Sequence, residues 1–145
     1  VFNLPIAAST DYYLYDHETG SDDGSTAPAQ AITAFIESSQ FDIGEGDQFS
    51  FVRRVIPDLT FRDSTAVAPV VNFTLQSRNY PGGAYTNTDA SAITRSAVVP
   101  VEQFTQDANI RLRGRSMSIK LDSSATGVAW RLGAPRIEIR TDGRR

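Results

Sequence analysis

The sequence predicts an all-β chain: an antiparallel β-sandwich, or a jelly-roll-like barrel, of about seven to nine short strands. Three observations predict it. β-branched and aromatic residues alternate with polar ones in several runs. Clusters of Gly, Pro, Asp and Ser separate those runs, and no helical period persists along the chain. A length of 145 residues suits one β domain, residues 1–145, with a proper core.

Residues 12–15 read as a short first strand, and residues 16–30, rich in Gly, Ser and Asp, as a mobile polar loop. Residues 32–41 follow, with Ile32, Ala34 and Ile36 on one face. The Gly-punctuated acidic turn at 42–47 then predicts an antiparallel hairpin with residues 48–56, where Phe49, Phe51 and the Val55 region are the apolar markers. Pro57 ends regular pairing. Residues 67–76 form a strand with Val71, Phe73 and Leu75 on one face. Tyr80-Pro81-Gly82-Gly83 is a strong turn, from which a loop runs on to Ser91. The next strand, 93–104, contains Pro100 and therefore belongs at a sheet edge or a bulge.

The C-terminal region predicts a bulged hairpin. Ile110 and Leu112 alternate with Arg111, Arg113 and Arg115, whereas Met117, Ile119 and Leu121 take the opposite parity after Gly114. One extra residue at a β-bulge reverses the faces in this way. Residues 122–127 make a polar turn. Strands at 128–132 and 136–140 are broken by Gly133-Ala134-Pro135, and Ile137 and Ile139 face away from Arg136, Glu138 and Arg140.

Charge is polarised along the chain. The first fifty residues hold nine acids and no Lys or Arg; residues 109–145 hold nine of the fourteen basic residues, eight of them Arg, against Asp122, Glu138 and Asp142. Such polarity points to self-association or docking on an acidic neighbour more than to catalysis. Arginine outnumbers lysine thirteen to one. The planar guanidinium suits ion pairs and interfaces, although a GC-rich genome gives the same bias. Arg111, Arg113 and Arg115, at spacing two, line one strand face and need something negative opposite them. Three partners compete: the acid-rich first third of a neighbouring copy, the same acids within one copy, or a nucleic-acid backbone. The last is weakest, because the net charge is −3 and no aromatics interleave with these arginines.

Other chemistry finds little support. With no cysteine and a single histidine, His17, thiolate chemistry is excluded, and a catalytic triad or zinc site would have to grow from one loop residue. No catalytic residues, cofactor or metal is expected. The turn Asp42-x-Gly44-x-Gly46-Asp47 lacks the full calcium-loop pattern and reads as a plain turn. Asn72-Phe73-Thr74 matches the glycosylation triplet by chance, inside a strand. Trp130 reads as a core or interface anchor. No apolar run is long enough for a membrane span. The first residues, Val1-Phe2-Asn3-Leu4-Pro5, do not form a signal peptide, and without an initiator Met the chain reads as a piece of a longer product.

The runs FIESSQFDIGEGDQFSFVRRVIPDLTF and RLRGRSMSIKLDSSATGVAWRLGAPRIEIRTDGRR resemble the C-terminal segment of tail proteins from short-tailed bacteriophages. These are the β-rich nozzle (tail tubular B-like) or DNA-stabilisation proteins. The pieces that carry the resemblance are FDIG-x-GD with RRVIPD, RGR-x-M, W-R-LG and DGRR, together about half of the chain. The resemblance implies a structural role in the virion tail and no enzymatic activity. Copies would form a ring, usually sixfold, around the DNA channel, with an adaptor as neighbour and DNA in passing contact. Arg111, Arg113, Arg115, Trp130, Arg131, Arg136 and Arg140 would be interface and charge contacts. The alternative is a carbohydrate-binding β-sandwich for host recognition, with Tyr12, Tyr13, Tyr15, Tyr80 and Tyr85 as stacking rings.

Overall fold

The computed structural model describes residues 4–43, 46–80 and 96–143. It is all-β and sandwich-like. Among the described residues there is no helix, and so none long and apolar enough to cross a membrane. The strands in chain order begin with β1 (Ile6–Ala8), β2 (Leu14–Asp16), β3 (Asp22–Asp23), β4 (Gln30–Ala31), β5 (Ala34–Glu37) and β6 (Phe41–Asp42). β7 (Ser50–Ile56), β8 (Leu59–Thr60), β9 (Val70–Arg78) and β10 (Ser96–Glu102) follow. The chain ends with β11 (Ala108–Gly114), β12 (Ser116–Ser123), β13 (Arg131–Leu132) and β14 (Arg136–Thr141).

Two antiparallel sheets carry the core. One runs β10-β9-β12-β5, with β6 beside β5 on the same edge of β12; the other runs β11-β7-β14. In β9, Val71, Phe73 and Leu75 point inward as their alternation predicts, and ladder partners extend the layer: Phe73 faces Leu121, Leu75 faces Ile119 and Val71 faces Val101. The second sheet answers with Val52, Val55, Ile110, Leu112 and the half-buried Ile137, while Phe61 and Val128 join the same cluster. Each large apolar side chain fully withdrawn from water contributes about 1.5–3 kcal/mol, so this one layer holds the sandwich. The sheets do not close into a barrel.

Pro100 sits opposite Asn72 in β10, and β10 is an edge strand, as the proline requires. Other pairings differ from the expected ones. The parity flip at Gly114 is real, since Ala108, Ile110 and Leu112 are buried on even positions and Met117 and Leu121 on odd ones. Its cause is a change of sheet, and no hairpin forms. β11 pairs with β7, β12 pairs with β9, and the chain crosses the sandwich between them. A register shift in β11 does occur, but between Asn109 and Leu112. The acidic turn at 42–47 likewise closes no hairpin. β5 and β6 lie on β12, whereas β7 lies between β11 and β14. Alternation reports which face of a strand is buried and carries no information on its neighbour.

Smaller departures follow. Ile36 is exposed on the edge strand β5, and Ile32 is exposed in the segment before it. Phe51 faces outward, opposite Arg113 and Arg140, and the inward residues of β7 are Val52 and Val55. Segment 16–30, expected as loop, contains β3 and the first residue of β4, paired through Asp22–Ala31 and Asp23–Gln30. The strand expected over 128–132 contracts to β13, paired with β8. Apart from Tyr80, the turn and loop reaching Ser91, and the expected strand start at Ile93, lie outside the described residues.

Gly114 is required by proximity. A Cβ there would lie 2.6 Å from Ser77 Cβ and 3.1 Å from the Arg78 carbonyl oxygen, where the two sheets meet. Ser77 Oγ donates to the Arg113 carbonyl at 3.0 Å, and Arg115 N–H donates to the Arg78 carbonyl at 2.9 Å, so neither neighbour is free to retreat. Gly114→Ala is expected to lower stability by about 1–3 kcal/mol in denaturant unfolding. Adding Ser77→Gly should make the double variant less destabilised than the sum of the two singles.

Candidate assembly interface

The solvent face of the β11-β7-β14 sheet collects arginines. Val55 opposes Ile137 on the core side, and Val52 opposes Ile139, which is exposed. The other face therefore presents the pairs Arg136–Ile56, Glu138–Arg54 and Arg140–Phe51 on β14, and Asn109–Arg54 and Arg113–Phe51 on β11. Arg53 and Arg111 are also exposed on these strands. Six arginines, at 53, 54, 111, 113, 136 and 140, thus share one sheet face with a single strand acid, Glu138.

Glu138 is the hub. Its carboxylate lies 3.1 Å from Arg54 Nε, 3.8 Å from Arg140 Nη2 and 4.0 Å from Arg53 Nη1, and Arg54 also reaches Asp107 at 3.3 Å. All of these side chains are substantially exposed, so each pair contributes about 0–1 kcal/mol. Arg53 and Arg54 were not expected as contacts. Their signal was the unbroken pair between Val52 and Val55, which is what a strand looks like when it buries two residues three apart. Arg111 and Arg136 are exposed and make no ion pair among the described residues.

Arg113 and Arg115 close a clamp at the rim. Their guanidiniums lie 3.9 Å and 4.6 Å from the centroid of the Phe49 ring, which is 8% exposed. Planar cations favour an aromatic face in this way. Arg113 Nε also donates to the Asp142 carboxylate, and its Nη2 to the Asp142 carbonyl at 3.3 Å. The backbone completes the clamp, with Phe49 N–H donating to the Gly143 carbonyl and Asp142 N–H to the Phe49 carbonyl, both at 2.8 Å. Arg111 and Arg113 share the predicted face, whereas Arg115 lies past the end of β11 in the crossing.

The remaining candidates act within the fold. Trp130 is half-buried against the core, and its Nε1 donates to Ser123 Oγ at 3.0 Å. Arg131 reaches Asp63 at 3.0 Å. Asp58, in a left-handed conformation at φ 46°, accepts from Ala134 N–H at 2.7 Å, and its carbonyl accepts from Gly133 N–H at 2.8 Å. A Cβ at Gly133 would meet the Asp58 carboxylate at 2.3 Å. RRVIPD and W-R-LG are thereby joined in space, as RGR-x-M and DGRR are through Arg113 and Asp142. For Arg54, Arg131 and Arg140, the partner acids come from residues 63–138, not from the acidic first third.

The first part of that acidic third, residues 4–33, is an arm on the sandwich, whereas β5 and β6 lie in the sheet of β12 and Phe41 and Ile43 pack half-buried against the core. No residue from Leu4 to Ile43 is buried. β1 and β2 pair with each other, as do β3 and β4. Asp22 tethers the arm, its carboxylate accepting from Gly127 N–H at 2.7 Å and 2.9 Å. An open depression of about 1120 Å³ lies within the arm, lined by Asp11, Asp16, Glu18, Asp22, Asp23 and His17 among others, with no Lys or Arg. Among the described residues, no three His, Asp or Glu side chains converge as metal ligands; Gly44 and Glu45 of the acidic turn lie outside them. Tyr12, at φ 68°, and Tyr13 are exposed in the β1–β2 turn, and Tyr80 is exposed as well; Tyr85 lies outside the described residues.

The turn is set by Asp11, which accepts from Tyr15 Oη at 2.7 Å and from Tyr13 N–H at 3.3 Å. The Tyr15 hydrogen bond, helped by Ser9, holds the Asp11 carboxyl below its ordinary range, and the same bond to Asp11 holds the Tyr15 phenol above its own. The ionised acid therefore favours the closed turn above the ordinary carboxylate range, and that contribution is lost as pH falls through the depressed value. The neutral phenol favours closure below the ordinary tyrosine range, and that contribution is lost as pH rises through the raised value. Tyr15→Phe should return Asp11 part of the way toward its ordinary titration, read by carboxyl NMR. In the sheet, Glu138→Ala should lower stability by about 1 kcal/mol at low salt, with a smaller deficit at high salt, because it leaves the Arg53, Arg54 and Arg140 charges facing one another.

No family model matches the chain, and no curated protein matches it.

Proposed function

We propose that this chain is a structural subunit of a bacteriophage tail, of the nozzle or DNA-stabilisation kind, that assembles with copies of itself as a ring around the DNA channel. The observation that carries the reading is the arginine face of β11-β7-β14, built beside an arm that bears the opposite charge and takes no part in the core. A sheet face of guanidiniums set in a fixed pattern suits docking of an acidic protein surface. A second support is the placement of the pieces that resemble tail proteins. RRVIPD, RGR-x-M, W-R-LG and DGRR meet at the joints of the sandwich, through Asp58, Gly114, Gly133 and Asp142, so they describe one framework.

The role is structural in this reading, and the virion tail is the location. Mass spectrometry of purified particles, with antibody labelling in the electron microscope, is expected to find the gene product at the tail. The intact product should form rings in negative stain. Particles that lack it, with a product that stays monomeric, would overturn the proposal.

A further inference from the structure

We infer that the acidic arm, residues 4–33, docks on the arginine face of a second copy of this chain. The inference rests on the reading of the chain as a self-assembling subunit and names the partner of its arginine face.

The two surfaces are complementary and each is incomplete alone. On the face, Glu138, Asp107 and Asp142 answer Arg53, Arg54, Arg113 and Arg140, which leaves Arg111 and Arg136 exposed without an ion pair among the described residues. The arm carries Asp11, Asp16, Glu18, Asp22 and Asp23 and no basic residue. Asp16 and Glu18 are exposed and likewise make no ion pair among the described residues. The arm also exposes Leu4, Ile6, Tyr12, Tyr13 and Leu14, while the face offers half-buried Phe51 and Ile56 between its arginines. Apolar area and charge can therefore be covered together.

The arm of the same copy does not reach this face. Asp22 holds it at Gly127, in the turn that follows β12, a strand of the opposite sheet, and no arginine of the face pairs with an arm acid among the described residues. Arm and face are different patches, so the contact is head-to-tail, the kind that generates a ring when its rotation closes. The apolar groups exposed on the arm, and Phe51 and Ile56 between the arginines of the face, favour a protein arm over a phosphate backbone as the occupant.

The test is a charge exchange in the 145-residue chain, read by sedimentation velocity at about 0.05 M and about 0.5 M salt. The unaltered chain should self-associate, and less so at high salt. D16K/E18K takes the arm from five acids and no base to three acids and two bases, and R111E/R136E places two acids among the arginines of the face. The side chains replaced are exposed and make no ion pair among the described residues, so melting curves should stay close to that of the unaltered chain. Each variant alone should associate at least about tenfold more weakly. An equimolar mixture should recover assembly, because the two lysines introduced in one arm fit the two glutamates introduced in the other face, and the unaltered arm of the second variant still meets the unaltered face of the first. The inference fails if the unaltered chain stays monomeric at low salt, if either variant assembles like it, or if the mixture remains dissociated. It fails also if R111E/R136E abolishes retention on immobilised DNA while self-association is unchanged, which would assign the face to nucleic acid. A chain present in particles whose charge exchange fails removes the arm docking alone; a successful exchange in a chain absent from particles removes the tail assignment alone.

Discussion

Strand β7 buries both Val52 and Val55, residues three apart, and must therefore turn two consecutive side chains, Arg53 and Arg54, to solvent. As the central strand of its sheet it imposes a shift of register on both ladders, while β11 keeps its regular alternation. β11 shifts register between Asn109 and Leu112, and β14 shifts between Glu138 and Ile139. The shifts keep Ile110, Leu112 and Ile137 on the core side despite the extra residue. They also bring Glu138 opposite Arg54, within reach of Arg53 and Arg140. The arginine face is thus a by-product of how the core is packed, and its charges are spaced by backbone geometry more than by their own attraction.

Much of the core was legible because alternation reports burial. Val71, Phe73 and Leu75 in β9, and the opposite parities on either side of Gly114, read directly as faces. Partners were not legible, because alternation is the same whether a strand turns back on its predecessor or crosses to the other sheet. Gly114 shows the difference: its parity signal was sound, but the cause is an approach to Ser77, a residue 37 positions earlier. Ion pairing was hidden for the same reason. Asp107, Glu138 and Asp63 meet their arginines through non-local ladders, and the long acidic stretch near the N-terminus drew the expectation toward itself. The Arg53–Arg54 pair could have been found, since two adjacent charges inside an apolar run mark a strand that changes phase.

The division of labour between the halves of the chain is physical. Among the described residues, those after 48 supply every buried side chain, and Arg53, Arg54, Arg113, Arg131 and Arg140 pair with acids of the same part. The preceding residues carry short ladders, an Asp11–Tyr15 turn and a carboxylate tether, all with little buried area to hold them. Such a segment gains order chiefly from what it rests against, so its charge and its exposed tyrosines contribute little to folding.

Pro100 takes one backbone N–H out of the β10 edge. A strand approaching that edge from another molecule finds the hydrogen-bond ladder interrupted, so sheets of adjacent molecules are discouraged from fusing side by side. Molecules brought close together can then keep their own sandwiches instead of merging their sheets.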